Sequence, residues 1–219
     1  MQISKENYLK VIYSLETTKK DRIKTQNLAD YLVISPASVT EMLKKLADEN
    51  YISYIPYKGV SLTKKGREFG KKILRRHRIL ELYLHKKLGF NWDEVHTEAE
   101  NLEHAVSDTL INKMDDILHH PQFDPHGDPI PSRDGHVPTQ NDIPLSQINT
   151  ENTYIISRVS DKSPDFLSYL DEKSLTINRK ISLKEKRQFD NTLIIQANKQ
   201  LVELSPLSAE KIRVIEYIK

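Results

Sequence analysis

Two carboxylates and an imidazole lie within five residues of one another, at Glu100, Glu103 and His104. On a helix, positions i, i+3 and i+4 share one face, so the three side chains can converge on one point. Neighbouring carboxylates repel each other unless a cation or a proton relieves them. Because the chain has no cysteine, a metal here would be held by nitrogen and oxygen ligands. The spacing therefore indicates a site for a divalent cation.

A second pair of ligand-type residues, His77 and Glu81, stands four positions apart on the preceding predicted helix, and His96 lies one helical turn before Glu100. Two antiparallel helices that face each other can combine such groups in one site. The alternative is a solvated helix face, on which each side chain contacts only water. All eight histidines lie between residues 76 and 142, which favours metal over that alternative.

Charge is distributed unevenly along the chain, although the formal net charge is only +2. Residues 1–75 carry 15 Lys and Arg against 8 Asp and Glu, whereas residues 76–142 carry 6 against 13. A basic first segment suits contact with phosphates, and an acidic middle segment suits cations. No apolar run reaches the roughly 20 residues of a membrane span, and the polar amphipathic start is unlike a secretion signal. We expect a cytoplasmic protein without membrane partners.

The elements that must position these groups begin with a helix over 4–17, capped by Ser4. A short helix capped by Thr25 follows, and then a helix from Ser35 and Pro36 to about Asn50. Two short strands around a turn at 57–59 precede a long helix, capped by Thr63, that ends near Leu88. Helix, helix, helix, hairpin and helix is the order of a winged helix-turn-helix, which binds DNA.

In such a motif, the first residues of the third helix face base edges in the major groove. The predicted readers are Ser35, Pro36, Ala37, Ser38, Thr40 and Lys44. Small hydroxyl and methyl groups give modest direct readout, so we expect DNA shape and phosphate contacts to contribute. The predicted phosphate contacts are Lys58, Lys64 and Lys65. The alternative is a well-made helix cap with solvated lysines.

The rest of the chain is predicted to be one further helix over 91–119, a Pro-rich loop to Pro144, and a small barrel. The strands of that barrel are predicted at 153–159, 174–181, 192–197 and 200–204, with a short helix at 164–170. No glycine follows Gly135, so tight turns there must use Asn178, Asn191 or Asn198.

Five stretches together give the sequence a specific resemblance to the diphtheria toxin repressor/MntR family of metal-dependent transcriptional regulators. These stretches are ENYLKVIYSLE, LADYLVISPASVTEMLKKLADENYI, LTKKGRE, RHRILELYL and VHTEAENLEHAVSD. The resemblance implies a mainly α fold with a small β domain, divided into a winged helix-turn-helix (1–75), a helical metal-binding and dimerisation domain (76–143) and an SH3-like, FeoA-like domain (144–219).

Carried over residue by residue, the resemblance implies a primary metal site at Asn7, Glu100, Glu103 and His104. Asn7 stands where the family usually has Asp or Met, and Lys10 stands where some relatives carry a second acidic ligand. A second site would be formed by Glu81, Asp124, His126 and Asp161. His77 and His96 match ancillary ligands. Since Glu100 replaces the cysteine of iron-responsive members, Mn²⁺ is the expected metal, with Fe²⁺ as the alternative.

The function predicted from these observations is a homodimeric regulator that binds double-stranded operator DNA when metal is bound, and that represses metal-uptake genes. No enzymatic activity and no small-molecule substrate are expected. One alternative is a winged-helix regulator that responds to a non-metal ligand. A second is a metallohydrolase, although the chain has no HExxH motif.

Overall fold

The computed structural model describes residues 4–18, 21–148, 152–160 and 163–217. Its elements follow one another as α1 (Lys5–Thr18), α2 (Thr25–Leu32), α3 (Pro36–Asp48), β1 (Ile52–Ile55), β2 (Gly59–Leu62), α4 (Lys64–Leu88), α5 (Val95–Leu102), α6 (Asp108–Ile117), β3 (Ile143–Pro144), a 3₁₀ turn (Leu145–Gln147), β4 (Thr153–Val159), α7 (Pro164–Glu172), β5 (Lys180–Lys186), β6 (Leu193–Ala197), β7 (Gln200–Leu204), α8 (Pro206–Glu210) and β8 (Ile212–Glu216).

The first five elements form the predicted winged helix-turn-helix. Ser35 caps α3 by accepting a hydrogen bond from the Ser38 amide, and Thr63 caps α4 in the same way. The predicted cap at Thr25 is wrong: Lys24 is the N-cap of α2 and makes no side-chain cap, so Thr25 is the first helical residue.

The wing is the antiparallel hairpin of β1 and β2, in which Ile52 pairs with Leu62 and Ile55 with Gly59. Gly59 has φ +102°, and a Cβ at this position would lie 2.5 Å from the Ile23 carbonyl oxygen. The bridge between Ile23 and Val60 therefore requires glycine here, and it ties the wing to the segment before α2.

The predicted single helix over 91–119 is in fact two helices, α5 and α6. The chain turns at residues 103–106, and Ser107 starts α6 by accepting a hydrogen bond from the Leu110 amide. Glu103 keeps helical dihedral angles as the C-cap of α5, with its amide bonded to the Ala99 carbonyl. Glu100 and Glu103 consequently still share one face, whereas His104 lies in the turn.

The C-terminal segment forms a six-stranded antiparallel sheet in the order β3-β8-β4-β5-β6-β7. The strand predicted at 174–181 is wrong in position, because Ser174 and Asn178 both adopt positive φ in a turn and β5 begins only at Lys180. Strands β3 and β8 and helix α8 were not predicted. Asn178, Asn191 and Asn198 do have positive φ, as the absence of glycine predicts.

Buried apolar residues form three clusters, one around α1–α3 and the wing, one around the second half of α4 with α5 and α6, and one inside the C-terminal sheet. Helix α4 contributes to the first two, and the predicted boundary at residue 75 lies inside it. Among the described residues, no helix is both long enough and apolar enough to cross a membrane.

Candidate metal centre and nucleic-acid interface

The metal-type side chains lie where α1, α4 and α5 meet. Helix α1 runs close against α4 at Gly70, where a Cβ would lie 2.5 Å from the Leu9 carbonyl oxygen. This approach brings Asn7 and Lys10 of α1 to the face of α5 that carries Glu100 and Glu103.

Lys10 is the cation at the centre of this arrangement. Its Nζ donates to Glu100 Oε1 at 2.5 Å and to Glu103 Oε1 and Oε2 at 2.7 and 2.9 Å. Only 6% of Lys10 is exposed, and Glu103 is fully buried. Asn7 Nδ2 donates to Glu100 Oε2 at 3.3 Å, so α1 holds both carboxylates through two of its side chains.

His77 bridges two buried carboxylates, with Nδ1 2.8 Å from Glu103 Oε2 and Nε2 2.9 Å from Glu81 Oε1. Burial by itself would lower the pKa of His77, but the charge of Glu81 and the hydrogen bonds to both carboxylates raise that pKa to about 10. Burial would raise the pKa of Glu103, but His77 and Lys10 hold it below its usual value. In the metal-free protein His77 is therefore an imidazolium, and the neighbouring carboxylates are ionised.

His96 and His104 lie at the edges of the cluster. His96 Nδ1 is 3.1 Å from Glu81 Oε1 and 3.2 Å from His77 Nε2. His104 Nδ1 is 2.6 Å from Glu6 Oε2, and its Nε2 is 3.4 Å from Glu103 Oε1. The predicted primary-site residues are thus neighbours in space, and Glu6 is an additional carboxylate that was not predicted.

The three described members of the predicted second site, Glu81, Asp124 and His126, also come together. All three are buried, and each offers a ligand atom within 4.8 Å of the other two. His126 Nε2 lies 2.7 Å from the Trp92 carbonyl oxygen, to which it must donate, so Nδ1 is the ring nitrogen left to face a cation. The fourth predicted member, Asp161, lies outside the described residues.

A test of fit is whether these groups leave donor atoms for a cation. Within the described part of the chain, neither His126 Nδ1 nor Glu81 Oε2 has a hydrogen-bond partner, although both atoms are buried. Orphaned buried polar atoms are costly, and a bound ion would satisfy them. Carboxylate oxygen and imidazole nitrogen suit Mn²⁺, Fe²⁺ and Zn²⁺. The residues present therefore fit a divalent metal.

A third acidic cluster, Asp115 with Asp116 and His120, has the spacing of a metal site but another explanation. Asp115 Oδ2 already accepts from Arg75 at 2.9 Å and from Arg133 at 3.0 Å. Two guanidinium groups satisfy the charge of this carboxylate, so the cluster is an ion-pair network.

The predicted DNA-reading residues lie on the open face of α3. Ser35, Pro36, Ala37, Ser38 and Lys44 are exposed, and Thr40 is half-buried. Thr40 Oγ1 donates to the Pro36 carbonyl at 2.8 Å, and the Ser35 hydroxyl serves as the cap. Ser38 Oγ in turn lies 2.9 Å from Ser35 Oγ. The three hydroxyl groups therefore already make local hydrogen bonds, whereas Ala37 and Lys44 are exposed on the same face.

The wing adds an exposed residue that sequence reasoning did not single out. Tyr57 has positive φ and is fully exposed at the hairpin tip, beside the exposed Lys58. Lys64 is also exposed, at the start of α4. An aromatic residue in a turn next to a lysine was the available signal for Tyr57.

Two residues that contact the metal-type side chains, Lys10 and Arg78, were not predicted as members of either site. Lys10 was noted only as a departure from an acidic ligand position. Arg78, whose Nε lies 3.5 Å from Asp124 Oδ2, was not noted at all. Neither contact has a sequence signal, since the first depends on how α1 packs against α5 and the second on how the loop after α6 packs against α4.

Comparison with family models accounts for nearly the whole chain. Residues 2–60 match the model described as iron dependent repressor, N-terminal DNA binding domain. Residues 63–132 match iron dependent repressor, metal binding and dimerisation domain. Residues 143–216 match the FeoA domain.

Among curated proteins, the HTH-type transcriptional regulator MntR of Listeria innocua is 34% identical over 139 residues, which cover 64% of this chain and 95% of the relative. An uncharacterized HTH-type transcriptional regulator of Methanocaldococcus jannaschii is 41% identical over 114 residues, or 52% of this chain and 91% of the relative.

Solved structures match over nearly the full length. A manganese-dependent transcriptional repressor in complex with manganese superposes with a TM-score of 0.91 at 35% identity, covering 98% of this chain and all of the other. ScaR with bound Cd²⁺ superposes with a TM-score of 0.83 at 32% identity, with the same coverage.

Proposed function

Given that this chain belongs to the diphtheria toxin repressor/MntR family of metal-dependent transcriptional regulators, we propose that it is a homodimeric, manganese-responsive repressor of metal-uptake genes. Members of this family are transcriptional regulators, not enzymes. The proposal assigns operator binding to residues 1–75, metal binding and dimerisation to 76–143, and an accessory role to 144–219.

The observation that carries the proposal is the convergence of α1 with α5 at the acidic cluster. Asn7 and Lys10 stand on the first helix of the DNA-binding segment, and both contact Glu100. Any change in how the charges of Glu100 and Glu103 are neutralised is therefore transmitted to α1. Buried residues of α1 belong to the same apolar cluster as those of α3. Such a contact can couple a cation to the placement of the reading helices.

Two sets of residues would hold metal. The first is Glu100, Glu103 and His104 with Asn7, and the second is Glu81, Asp124 and His126 with Asp161, while His77 and His96 lie between them. When bound, a divalent ion supplies positive charge that relieves repulsion among these carboxylates. The all-oxygen-and-nitrogen donor set favours Mn²⁺, and Fe²⁺ is the alternative.

The DNA side of the proposal rests on shape and charge. Ala37, Ser38 and Lys44 are exposed on α3, and the exposed Lys58 of the wing and Lys64 of α4 would offer ammonium groups to phosphates. In a homodimer, two such faces would read half-sites one helical turn apart, about 34 Å.

The test is an electrophoretic mobility shift on operator DNA selected with the manganese-loaded protein. Mn²⁺, Fe²⁺ and Zn²⁺ are each titrated and then reversed by chelator. We expect metal to raise operator affinity within the range usual for allosteric coupling, about 5- to 150-fold. Operator binding unaffected by chelation would favour the alternative, a regulator of a non-metal ligand.

The site assignment is tested with Glu103→Ala and His104→Ala, which remove one ligand each. Both variants should lose the metal-dependent gain in operator affinity. Glu103→Ala also leaves Lys10 and His77 without their shared buried carboxylate and should lower stability, so His104→Ala, whose side chain is 30% exposed, is the variant expected to keep the fold. Glu98→Ala on the same helix and His136→Ala in an exposed loop are matched controls and should respond to metal as the unaltered protein does. A metal response retained by either ligand variant would contradict the assignment.

A further inference from the structure

Lys10 is a buried cation inside a cluster whose other charged members are metal-ligand types. Its ammonium contacts three carboxylate oxygens at 2.5 to 2.9 Å and lies 3.5 Å from His77 Nδ1. The Lys10 side chain is 7% exposed, and the Glu103 side chain is fully buried. A buried charge is retained only where it is paired and hydrogen-bonded, so these contacts stabilise the arrangement of the metal-free protein.

We propose that Lys10 is a tethered cation that occupies the Glu100–Glu103 site in the metal-free protein and that a divalent ion must displace its ammonium to bind there. This inference rests on the proposed metal site and states how that site is regulated. Lys10 is a positioning residue, because it acts on metal binding through the two carboxylates.

The charges support displacement over simultaneous binding. Glu100 Oε1 and both Glu103 oxygens already accept from the ammonium, and Asn7 donates to the remaining Glu100 oxygen. A metal ion and an ammonium cannot share these oxygens without placing two like charges in one buried pocket. The tethered cation therefore competes with metal for the same atoms.

A second consequence concerns α1. Because Lys10 stands on the helix that packs against α4, its two ion pairs dock α1 without any metal. The metal-free protein is thus held in one defined arrangement, and metal exchanges one cation for another. Because metal must compete with the Lys10 ammonium, this protein should respond to metal at a higher metal concentration than the same ligands would require without Lys10.

The first experiment measures Mn²⁺ affinity of the full-length protein by equilibrium dialysis, for the unaltered chain and for Lys10→Met. Methionine keeps an unbranched side chain of similar length without the charge. A neighbouring cation suppresses proton binding by a carboxylate about 10- to 1000-fold. We therefore expect Lys10→Met to bind Mn²⁺ at least about tenfold more tightly, and its metal-free form to unfold at lower urea concentration.

The matched control is Lys5→Met on the same helix. Lys5 pairs with Glu49, away from the cluster, and its loss changes the net charge equally. Its Mn²⁺ affinity should stay within about twofold of the unaltered protein. Equal gains in both variants would show a general charge effect and overturn the proposal.

A second measurement uses the unaltered protein and does not depend on any variant folding. Acylation of lysine amines, quantified by peptide mass spectrometry, should modify Lys10 slowly in chelator and faster with saturating Mn²⁺. Labelling of Lys10 that is unchanged or slower with Mn²⁺ would overturn the proposal, as would a Lys10→Met affinity equal to or weaker than that of the unaltered chain.

These outcomes distinguish a failure of the Lys10 proposal from a failure of the proposed metal site. If the unaltered protein binds Mn²⁺ and Lys10→Met binds it with equal affinity, the proposal about Lys10 is wrong but the assignment of the metal site is unaffected. If neither binds Mn²⁺, both the proposed function and this inference fail.

Discussion

At the scale of single residues, charge compensation organises the metal-free site. Three carboxylates, Glu81, Glu100 and Glu103, face the ammonium of Lys10 and the imidazolium of His77. Buried ions of one sign alone would be strongly destabilising, and each cation here lies between two carboxylates. The cluster therefore compensates its buried carboxylates with cations of its own chain.

His77 gives this compensation a pH dependence in the metal-free protein. Its pKa is about 10 in the fold against about 6.5 in the unfolded chain, since Glu81 and Glu103 outweigh the effect of burial. A raised folded-state pKa contributes stability that is fully present below pH 6.5 and is lost as pH rises through 10. The free energy of unfolding should therefore fall steadily as the pH rises between these two values.

The measurement is urea unfolding in chelator between pH 6 and pH 10. His77→Gln should show a flatter dependence on pH than the unaltered protein, and His136→Ala, an exposed histidine, should follow the unaltered protein. Parallel curves for His77→Gln and the unaltered chain would mean that His77 is not charged in this pH range.

Spacing was enough to predict that Glu100 and Glu103 share a helix face and that His77 and Glu81 share another. Asp124 and His126 followed only from the family resemblance, and His104 lies in the turn after α5. Spacing and resemblance were not enough to predict the partners of those groups. Lys10 is 90 positions from Glu100 in sequence, and its contact depends on α1 lying against α5. Glu6, which contacts His104, is a similar case.

At the scale of elements, the packing of α1 against α4 fixes the geometry of the site. Gly70 is the point of closest approach: a Cβ there would lie 2.5 Å from the Leu9 carbonyl oxygen and 3.0 Å from Tyr13 Cβ. The backbone of α1 cannot yield as a flexible side chain would. Glycine at this position therefore sets how far Asn7 and Lys10 reach toward α5.

We expect Gly70→Ala to push α1 away from α4 and to weaken both Mn²⁺ binding and stability. Overpacking in a close helix contact costs about 1–3 kcal/mol. Helix propensity alone predicts the opposite sign, since Ala in a helix interior is about 1 kcal/mol better than Gly. Urea unfolding distinguishes the two: a Gly70→Ala protein more stable than the unaltered chain would show that the approach is not tight. Lys87→Ala, at an exposed α4 position, is the control.

Element boundaries were predictable where a cap or a turn residue marks them. Ser35, Pro36 and Thr63 start their helices as predicted, and the asparagine turns lie where predicted. The break between α5 and α6 was missed because residues 95–119 contain neither glycine nor proline. Ser107 followed by Asp108 was the available N-cap signal, and the periodic apolar pattern around it masked that signal.

At the scale of the whole molecule, the loop after α6 joins the metal-type residues to the C-terminal sheet. The His126 carbonyl accepts a hydrogen bond from the Val159 amide of β4 at 2.9 Å, and His126 Nε2 contacts the Trp92 carbonyl between α4 and α5. Arg158 of β4 lies 3.4 Å from Asp128 in the same loop. A winged helix, a helical middle and a small β domain were predictable from pattern and resemblance. This docking of the loop was not predictable, since it depends on contacts between residues 30 or more positions apart in sequence.

Gly127 makes the docking testable. It has φ +87°, and a Cβ there would lie 2.0 Å from the Ser157 carbonyl oxygen and 2.9 Å from Arg158 Cα, both backbone atoms of β4. Gly127→Ala should therefore lift the loop from the sheet and displace its neighbour His126 from Glu81. We expect this variant to bind one Mn²⁺ fewer per chain by equilibrium dialysis, while the Glu100–Glu103 site still binds.

Gly135→Ala is the control that isolates docking from backbone strain. Gly135 has φ +85° in the same loop, so alanine there carries a similar strain of about 1–2 kcal/mol. Its nearest neighbour would be Lys71 Nζ at 2.9 Å, the far end of a flexible side chain that can move aside. A loss of Mn²⁺ in both variants would trace the effect to loop strain. A full Mn²⁺ complement in Gly127→Ala would mean that the C-terminal sheet does not hold the second site, and that the contacts of Trp92 and Arg78 position the loop from the helical side.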